Sequence, residues 1–287
     1  MDTIKTKGES IGILLGLVGA EPVREATGRI VGFVPISLAQ LGRPRIDVFA
    51  SLSGIFRDTF GNVLDLLDDL FEQISAEDEP YGSNFVKKHT DALRTQGEER
   101  PYSRLFSNPP GDFGSMVNER VGSGDWKSAD ELGATWEAKN SFSYGRKNEK
   151  GVARQNLVKQ LLNSTDSIVQ EIDSVEYGLT DIQEYYANTG ALKRAAENNR
   201  EGKAAVGVNV VETFDKRPRA RDLNETLRLE YRSKLLNPKW ADEMIKQGAG
   251  GGFEISQRMT ALIGWAGTTG FSEKWVYDGA AEYVLCT

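Results

Sequence analysis

The densest group of side chains able to move protons or bind a hard cation lies between residues 173 and 186. A buried carboxylate whose pKa is raised accepts a proton, and carboxylate oxygens are the ligands that Mg²⁺ prefers. The segment therefore predicts acid–base or cation chemistry. Its carboxylates and tyrosines are Asp173, Glu176, Asp181, Glu184, Tyr177, Tyr185 and Tyr186.

Asp181 is the main candidate in this segment. On a helix that starts near Thr180, Asp181 and Glu184 fall on the same side, and Tyr185 lies one turn from Asp181. The alternative is structural: Thr180 caps the helix, Asp181 complements the helix dipole and Glu184 closes a capping box. Glu184 and Glu176 are the further catalytic candidates.

Composition excludes several other kinds of site. With one cysteine, Cys286, and one histidine, His89, an internal disulfide and a zinc site of ordinary His/Cys spacing are ruled out. His89 lies on a polar helix face, which favours a surface role. The net charge of −7 argues against a nucleic-acid partner, and we assign the basic run at 216–221 to a solvated loop. The longest apolar run, 11–20, is shorter than the roughly 20 residues that cross a bilayer, so we expect no transmembrane segment.

Hydrophobic periodicity predicts an α/β protein: a partial open parallel sheet with flanking helices, followed by a mainly helical region with a few strands. Residues 1–96 form the predicted α/β subdomain. Its predicted elements are helices at 9–20, 56–74 and 84–96 and strands at 30–36 and 46–50.

A segment rich in Gly, Pro and Trp, 97–151, connects this subdomain to a mainly helical one, 152–287. Because the connecting segment is long and has little periodicity, we expect it to build a site or an interface. Gly248–Gly252 lacks the Gly-Lys-Ser/Thr ending of a phosphate-binding loop, so no ATP site is predicted. In the last subdomain we predict a strand at 204–213 and helices at 157–172, 181–198, 223–236 and 238–247.

Several long strings resemble the large subunit of magnesium chelatase and, more distantly, of cobaltochelatase, in that family's order. The resemblance spans the whole chain and implies that the chain is roughly the last quarter of such a subunit. We therefore expect a piece of a longer protein. The strings are Gly42-Arg-Pro-Arg-Ile-Asp47, Ser53-Gly-Ile-Phe-Arg-Asp58, Arg104-Leu-Phe-Ser-Asn-Pro-Pro-Gly-Asp-Phe-Gly114, Ser143-Tyr-Gly145, residues 173–186, Leu236-Asn-Pro-Lys-Trp240 and Trp275-Val-Tyr-Asp278.

The resemblance implies a porphyrin-binding subunit that takes part in ATP-dependent insertion of Mg²⁺ into protoporphyrin IX, in chlorophyll or bacteriochlorophyll synthesis. ATP would be hydrolysed by partners, an AAA+ ATPase subunit and a subunit with an integrin-like domain. The compartment would be the plastid stroma or the bacterial cytoplasm. The cobaltochelatase form also has an acidic residue in line with Asp181 and a tyrosine in line with Tyr185, which supports Asp181 as proton acceptor or transient Mg²⁺ ligand.

Candidate porphyrin-binding residues are cations and tyrosines. Arg57 follows a predicted strand and could pair with a propionate, or it could form an internal ion pair that fixes the helix start. The full set is Arg57, Tyr177, Tyr185, Arg228, Lys239 and Arg258.

Three other functions remain open at this point. One is a porphyrin-binding or regulatory module without catalysis. Another is a cobaltochelatase-type subunit that acts on a corrin precursor. The last is an unrelated doubly wound nucleotide-binding protein, which the missing glycine fingerprint disfavours.

Overall fold

The computed structural model describes residues 9–286, with side chains through residue 282. The chain forms two compact units, each built from two stretches of sequence. The predicted division at residues 96 and 151 is based on composition and stays a prediction. The first unit comprises residues 9–113 and 139–161, and the second comprises 114–138 and 162–286.

Helices and short strands are interspersed up to residue 222, and the described elements after it are helices. The first are α1 (Glu9–Val18), β1 (Ala20–Arg24), β2 (Ile30–Pro35), α2 (Leu38–Leu41), β3 (Ala50–Ser51), α3 (Gly54–Thr59), α4 (Gly61–Ala76), α5 (Phe85–Thr95) and β4 (Leu105–Ser107). The middle ones are α6 (Val117–Ser123), α7 (Ala129–Lys139), β5 (Phe142–Tyr144), β6 (Lys150–Ala153) and α8 (Gln155–Asn163). The last are β7 (Ser167–Ile172), α9 (Gln183–Tyr185), a π-helical turn (Tyr186–Gly190), α10 (Ala191–Asn199), a 3₁₀ turn (Glu201–Lys203), β8 (Gly207–Glu212), β9 (Arg219–Asp222), α11 (Leu223–Ser233), α12 (Pro238–Lys246), α13 (Ala249–Thr269) and α14 (Lys274–Cys286).

The first unit contains a β1–β2 hairpin and a four-stranded sheet in the order β3-β4-β5-β6. β3 and β4 are parallel, and the other neighbours in the four-stranded sheet are antiparallel. Helix α4 packs its apolar face into the core of this unit, as the helical spacing of its leucines predicts. The buried residues of α4 include Leu64, Leu67, Leu70, Phe71 and Ile74.

The predicted helix at 56–74 is two helices, because the chain leaves helical geometry at Phe60, whose φ and ψ are −117° and 40°. Ser53 begins α3 by accepting a hydrogen bond from the Phe56 amide at 3.1 Å. The predicted strand at 46–50 is also shorter than expected, since only Ala50 and Ser51 pair with β4.

The string 42–47 contributes two buried charged groups to the first unit. The Arg45 guanidinium donates to the backbone oxygens of Gly19 and Ile36 at 2.6 and 2.5 Å and forms a two-point ion pair with Glu79. Asp47 forms a second two-point pair with Arg104, at 2.8 and 3.1 Å. This part of the family resemblance therefore has a structural explanation.

His89 also contacts Asp47, with its Nδ1 2.8 Å from a carboxylate oxygen. The His89 side chain is 32% exposed, so the predicted surface position is only partly correct. Burial would raise the pKa of Asp47, but Arg104 and His89 outweigh burial and lower the pKa below its ordinary value.

Asp47→Asn should lower the free energy of unfolding at pH 7 by about 2 kcal/mol, since a charge-assisted pair is lost. The folded-state pKa of Asp47 lies below the unfolded value of 3.8, so its stabilisation is complete above pH 3.8 and is lost as pH falls through the folded-state value. Urea unfolding of the unmodified chain and of Asp47→Asn, measured between pH 7 and pH 3, should therefore show a difference in the free energy of unfolding that shrinks towards pH 3. Asp69→Asn, at an exposed ion pair with Arg146, is the matched control. A difference in the free energy of unfolding that does not depend on pH would contradict the lowered pKa of Asp47.

The second unit contains the sheet β7-β8-β9, in which β7 and β8 are parallel and β8 and β9 antiparallel. The predicted helix at 157–172 is wrong. Helix α8 ends at Asn163 and the chain continues as strand β7, because Ile168 and Ile172 are buried where β7 pairs with β8. Short apolar runs fit a helix or a buried strand equally well, and here the pairing partner decides.

The mixed α/β fold class is confirmed, with parallel strand pairs in both units. The connecting segment 97–151 supplies regular elements to each unit. Within residues 9–286, no helix is both long enough and apolar enough to cross a membrane.

Candidate functional site

The segment 178–185 is not one continuous helix in the second unit. Helix α9 begins at Gln183, and Ile182 precedes it without a side-chain cap. Gly178 and Asp181 instead close a tight turn: the Gly178 amide donates to the Asp181 carboxylate at 2.7 Å, and the Asp181 amide donates to the Gly178 oxygen at 3.1 Å. The capping-box alternative is therefore wrong. Helix α9 begins at Gln183, and Ile182, not Thr180, occupies its N-cap position.

Asp181 lies between two cations. Lys234, just after α11, and Arg258, on α13, each form an ion pair with a different oxygen of its carboxylate. The Asp181 side chain is only 4% exposed, and those of Lys234 and Arg258 are 13% and 7% exposed. Because little water reaches this cluster, each of the three charges is stabilised mainly by its ion-pair partners and only weakly by hydration.

Arg258 has two further contacts that fix its position. Its guanidinium donates to the Glu254 carboxylate at 2.7 Å, and it lies over the Trp240 ring with 4.5 Å to the centroid. Helices α12 and α13 thus hold the cation that orients Asp181.

A cleft of about 340 Å³ opens beside Asp181 in the second unit. Three carboxylates line it, and two of them, Glu184 and Glu254, are exposed. Carboxylate oxygens are groups that can bind a hard cation or accept a proton, although Asp181 and Glu254 here already pair with Arg258. The lining residues are Asp181, Ile182, Gln183, Glu184, Phe253, Glu254 and Gln257.

The structure brings some of the predicted site residues together and leaves others apart. Asp181 and Glu184 line the cleft, and Arg258 pairs with Asp181 but is not a lining residue. Glu176 and Tyr177 are exposed, and the backbone oxygen of Glu176 lies 3.5 Å from the Lys234 ammonium. Tyr185 is half-buried, next to the fully buried Tyr186.

Arg228 and Lys239 lie outside the cleft. Arg228 forms an ion pair with Glu273 at 2.7 Å, and Lys239 is exposed in the first turn of α12. Among the described residues, no group of three or more His, Cys, Asp or Glu side chains is arranged to hold a metal ion. The role of Asp181 as a transient Mg²⁺ ligand stays a prediction.

Arg57 belongs to the first unit, where it makes an internal ion pair. It bonds Asp58 at 2.7 and 2.8 Å and also donates to three backbone oxygens at the end of β4 and beyond, those of Asn108, Pro109 and Asp112. The side chain is buried. The structural alternative for Arg57 is thus present, and its role in propionate binding stays a prediction.

Sequence reasoning missed Glu254 and Lys234. The spacing of four residues between Glu254 and Arg258 is a signal for a helical ion pair, and they form one. Nothing local links Lys234 to Asp181, which is 53 residues away in the sequence.

Comparison with known proteins gives the chain its family. The model of the CobN/Magnesium Chelatase family matches residues 1–285. A magnesium-chelatase subunit of Chlorobaculum parvum is 39% identical over 98% of this chain and 22% of its own length. The chloroplastic magnesium-chelatase subunit ChlH of Oryza sativa subsp. indica is 36% identical over 97% of this chain and 20% of its own length.

A solved structure agrees with these matches. The catalytic subunit of cobaltochelatase from Mycobacterium tuberculosis superposes with a TM-score of 0.92 at 27% identity, covering 96% of this chain and 24% of that one. The chain is thus similar over nearly all of its length to subunits of known chelatases. It belongs to the CobN/magnesium chelatase family, as the sequence strings predicted. The chain spans less than a quarter of the length of these relatives.

Proposed function

We propose that this chain is part of a chelatase large subunit that inserts Mg²⁺ into protoporphyrin IX, and that the cleft beside Asp181 serves this reaction. The observation that carries the proposal is the meeting of Asp181, Glu184 and Glu254 in one cleft, with Asp181 fixed between two cations. ATP would be used by AAA+ ATPase and integrin-like-domain partners, in a plastid stroma or a bacterial cytoplasm.

Metal insertion requires the removal of two pyrrole protons and the delivery of a cation that gives up its water reluctantly. Glu184 is exposed at the cleft and suits the capture of a hydrated cation and the acceptance of a proton. Asp181 is held in one orientation by Lys234 and Arg258, so it suits a fixed oxygen ligand. Glu176 is exposed and remains a further candidate proton acceptor.

Porphyrin contacts would come from exposed tyrosines and cations. Tyr177 is 44% exposed and Lys239 is exposed, so both are open to a propionate or a ring face. Tyr185, Arg228, Arg258 and Arg57 stay in the proposed set. The last three would first have to weaken existing ion pairs, with Glu273, with Asp181 and Glu254, and with Asp58 respectively.

Mn²⁺, which binds the same oxygen ligands as Mg²⁺, tests the cleft. Titrated into the ¹⁵N-labelled chain, it should broaden the amide signals of Asp181, Glu184 and Gln257 first. Glu184→Gln should raise the Mn²⁺ concentration required several-fold, because one of the three carboxylates is lost. Glu243→Gln, at an exposed pair on α12, is the matched control and should have no effect.

A parallel titration with deuteroporphyrin IX, followed by tryptophan fluorescence, tests pigment binding by the same chain. Saturable quenching in the micromolar range, weakened by Lys239→Ala, supports a tetrapyrrole site. If the folded chain shows neither cleft broadening nor quenching, the proposed role of this cleft is wrong.

A cobaltochelatase-type function is the second candidate, favoured by the superposition on the Mycobacterium tuberculosis subunit and by 29% identity to aerobic cobaltochelatase subunit CobN of Sinorhizobium. Quenching by a metal-free corrinoid at lower concentration than by deuteroporphyrin would favour it. Pigment binding without cleft broadening by Mn²⁺ would instead favour a non-catalytic porphyrin-binding module.

A further inference from the structure

The turn that carries Asp181 is held by a carboxylate outside the cleft lining, that of Glu230 on α11. One Glu230 oxygen accepts from the Leu179 amide at 2.9 Å. The other accepts from the Thr180 amide at 2.9 Å and from the Thr180 hydroxyl at 2.8 Å. Three hydrogen-bond donors of Leu179 and Thr180, the two residues before Asp181, thus bind the Glu230 side chain.

Gly178 is what allows this approach. A Cβ atom at position 178 would lie 2.3 Å from one Glu230 oxygen and 2.6 Å from the other. Any other residue would push the carboxylate away from the amides it binds. The glycine in Tyr177-Gly-Leu-Thr-Asp181 is therefore required by the position of Glu230.

Two further contacts fix the same turn, one at the Leu179 carbonyl oxygen and one at the Asp181 carboxylate. The Trp265 indole N–H on α13 donates to the Leu179 oxygen at 3.0 Å, and Leu179 is fully buried. Lys234 follows Glu230 by four residues and pairs with Asp181. Contacts from α11 and α13 thus fix the backbone before Asp181 as well as the carboxylate itself.

The state of the Glu230 carboxylate depends on the same contacts. Burial raises the pKa of Glu230 above its ordinary value, and the charge of Lys234 and the amides of Thr180 and Leu179 offset only part of that shift. The turn therefore eases ionisation of the carboxylate that binds it.

We propose that Glu230 is a positioning residue for the cleft: by binding the Leu179 and Thr180 backbone it fixes the orientation in which Asp181 faces the cleft. This inference rests on the proposed function of the cleft. Glu230 does not line the cleft, so it acts through the turn and through Asp181.

Hydrogen exchange of single amides, measured by NMR on the whole chain, tests the contact directly. In Glu230→Gln an amide NH₂ group replaces one acceptor oxygen, so at least one of the Leu179 and Thr180 amides loses its acceptor and should exchange roughly ten-fold faster. The exchange rates of amides in the β7–β8 pair should not change. Glu225→Gln, at an exposed ion pair on the same helix, is the matched control.

A milder pair of variants serves if Glu230→Gln does not fold. Thr180→Val replaces the hydroxyl donor with a methyl group, whereas Thr180→Ser keeps the hydroxyl and loses the methyl group. Faster exchange at Leu179 in the valine variant but not in the serine variant supports the proposal, since only the valine variant loses the hydrogen bond to Glu230.

The Mn²⁺ titration links the turn to the cleft. The proposal expects Glu230→Gln to require several-fold more Mn²⁺ for the broadening of Asp181, although no cleft-lining residue is changed. Unchanged exchange at Leu179 and Thr180 overturns the positioning role, and faster exchange with unchanged Mn²⁺ broadening overturns its link to the cleft. If the unmodified chain shows no broadening, the proposed function fails, while the exchange data still decide whether Glu230 fixes the turn.

Discussion

Asp181→Ala should lower the free energy of unfolding by about 4 kcal/mol, because it leaves two buried cations without their shared counter-charge. Lys234 and Arg258 are 13% and 7% exposed, so water replaces little of the lost interaction. Arg258 keeps its ion pair with Glu254, whereas Lys234 keeps only the attraction of the Glu230 charge and forms no second ion pair within the described part of the chain. Most of the loss should therefore arise at Lys234.

Urea unfolding of the chain measures this effect, and a double-mutant cycle locates it. Adding Lys234→Met to Asp181→Ala should restore about 2 kcal/mol, since the stranded ammonium is removed. Asp278→Ala, at an exposed pair with Lys274, is the control and should change stability by less than about 0.5 kcal/mol. Equal losses in the single and double variants would show that the Lys234 pair contributes little.

Asp181→Ala changes folding as well as chemistry at the cleft. A loss of porphyrin or cation binding in this variant does not separate the two effects. Glu184→Gln and Glu230→Gln separate them, because the folding of each variant is checked independently.

Gly251→Ala should destabilise the chain by about 3 kcal/mol through a backbone clash between α12 and α13. A Cβ at position 251 would lie 1.7 Å from the Met244 carbonyl oxygen and 2.5 Å from its carbonyl carbon. Since both atoms belong to the backbone, a side-chain rotation cannot relieve the overlap.

The neighbouring glycines give a matched control for this prediction. Gly250 and Gly252 have nothing within 4 Å of an added Cβ and lie inside α13. Gly252→Ala should therefore stabilise the chain by up to about 1 kcal/mol, because alanine is the better helix former. Thermal and urea unfolding of the two alanine variants distinguish the positions. Equal effects at 251 and 252 would mean that helix packing does not require the glycine.

Much of the fold followed from local patterns. The helical spacing of apolar residues from Phe60 to Phe71 predicted one helix face, on which Leu64, Leu67, Leu70 and Phe71 are buried and Phe60 is exposed. Asn84 and Ser53 begin helices as their side chains allow. Local patterns failed at 157–172, where a short apolar run fits either a helix or a strand. Part of this run forms a strand because it pairs with β8, which lies about 40 residues further along the chain.

The site was predictable in part. The density of carboxylates drew attention to Asp181 and Glu184, and both line the cleft. The helix expected to place them begins only at Gln183, because Asp181 is part of a turn bound to Glu230 and Lys234. Those partners are about 50 residues away, so no local spacing reveals them.

The sequence by itself determined the family, the α/β class and the segment around Asp181, because long strings of residues and local periodicity are properties of the chain alone. Only the tertiary structure decided which charges neutralise Asp181, that Glu230 holds its turn, and that Glu254 completes the cleft with Glu184. Ion pairs and convergent hydrogen bonds depend on distances of about 3 Å between residues far apart in sequence. Such distances are set by the packing of α11 and α13 and not by any one segment.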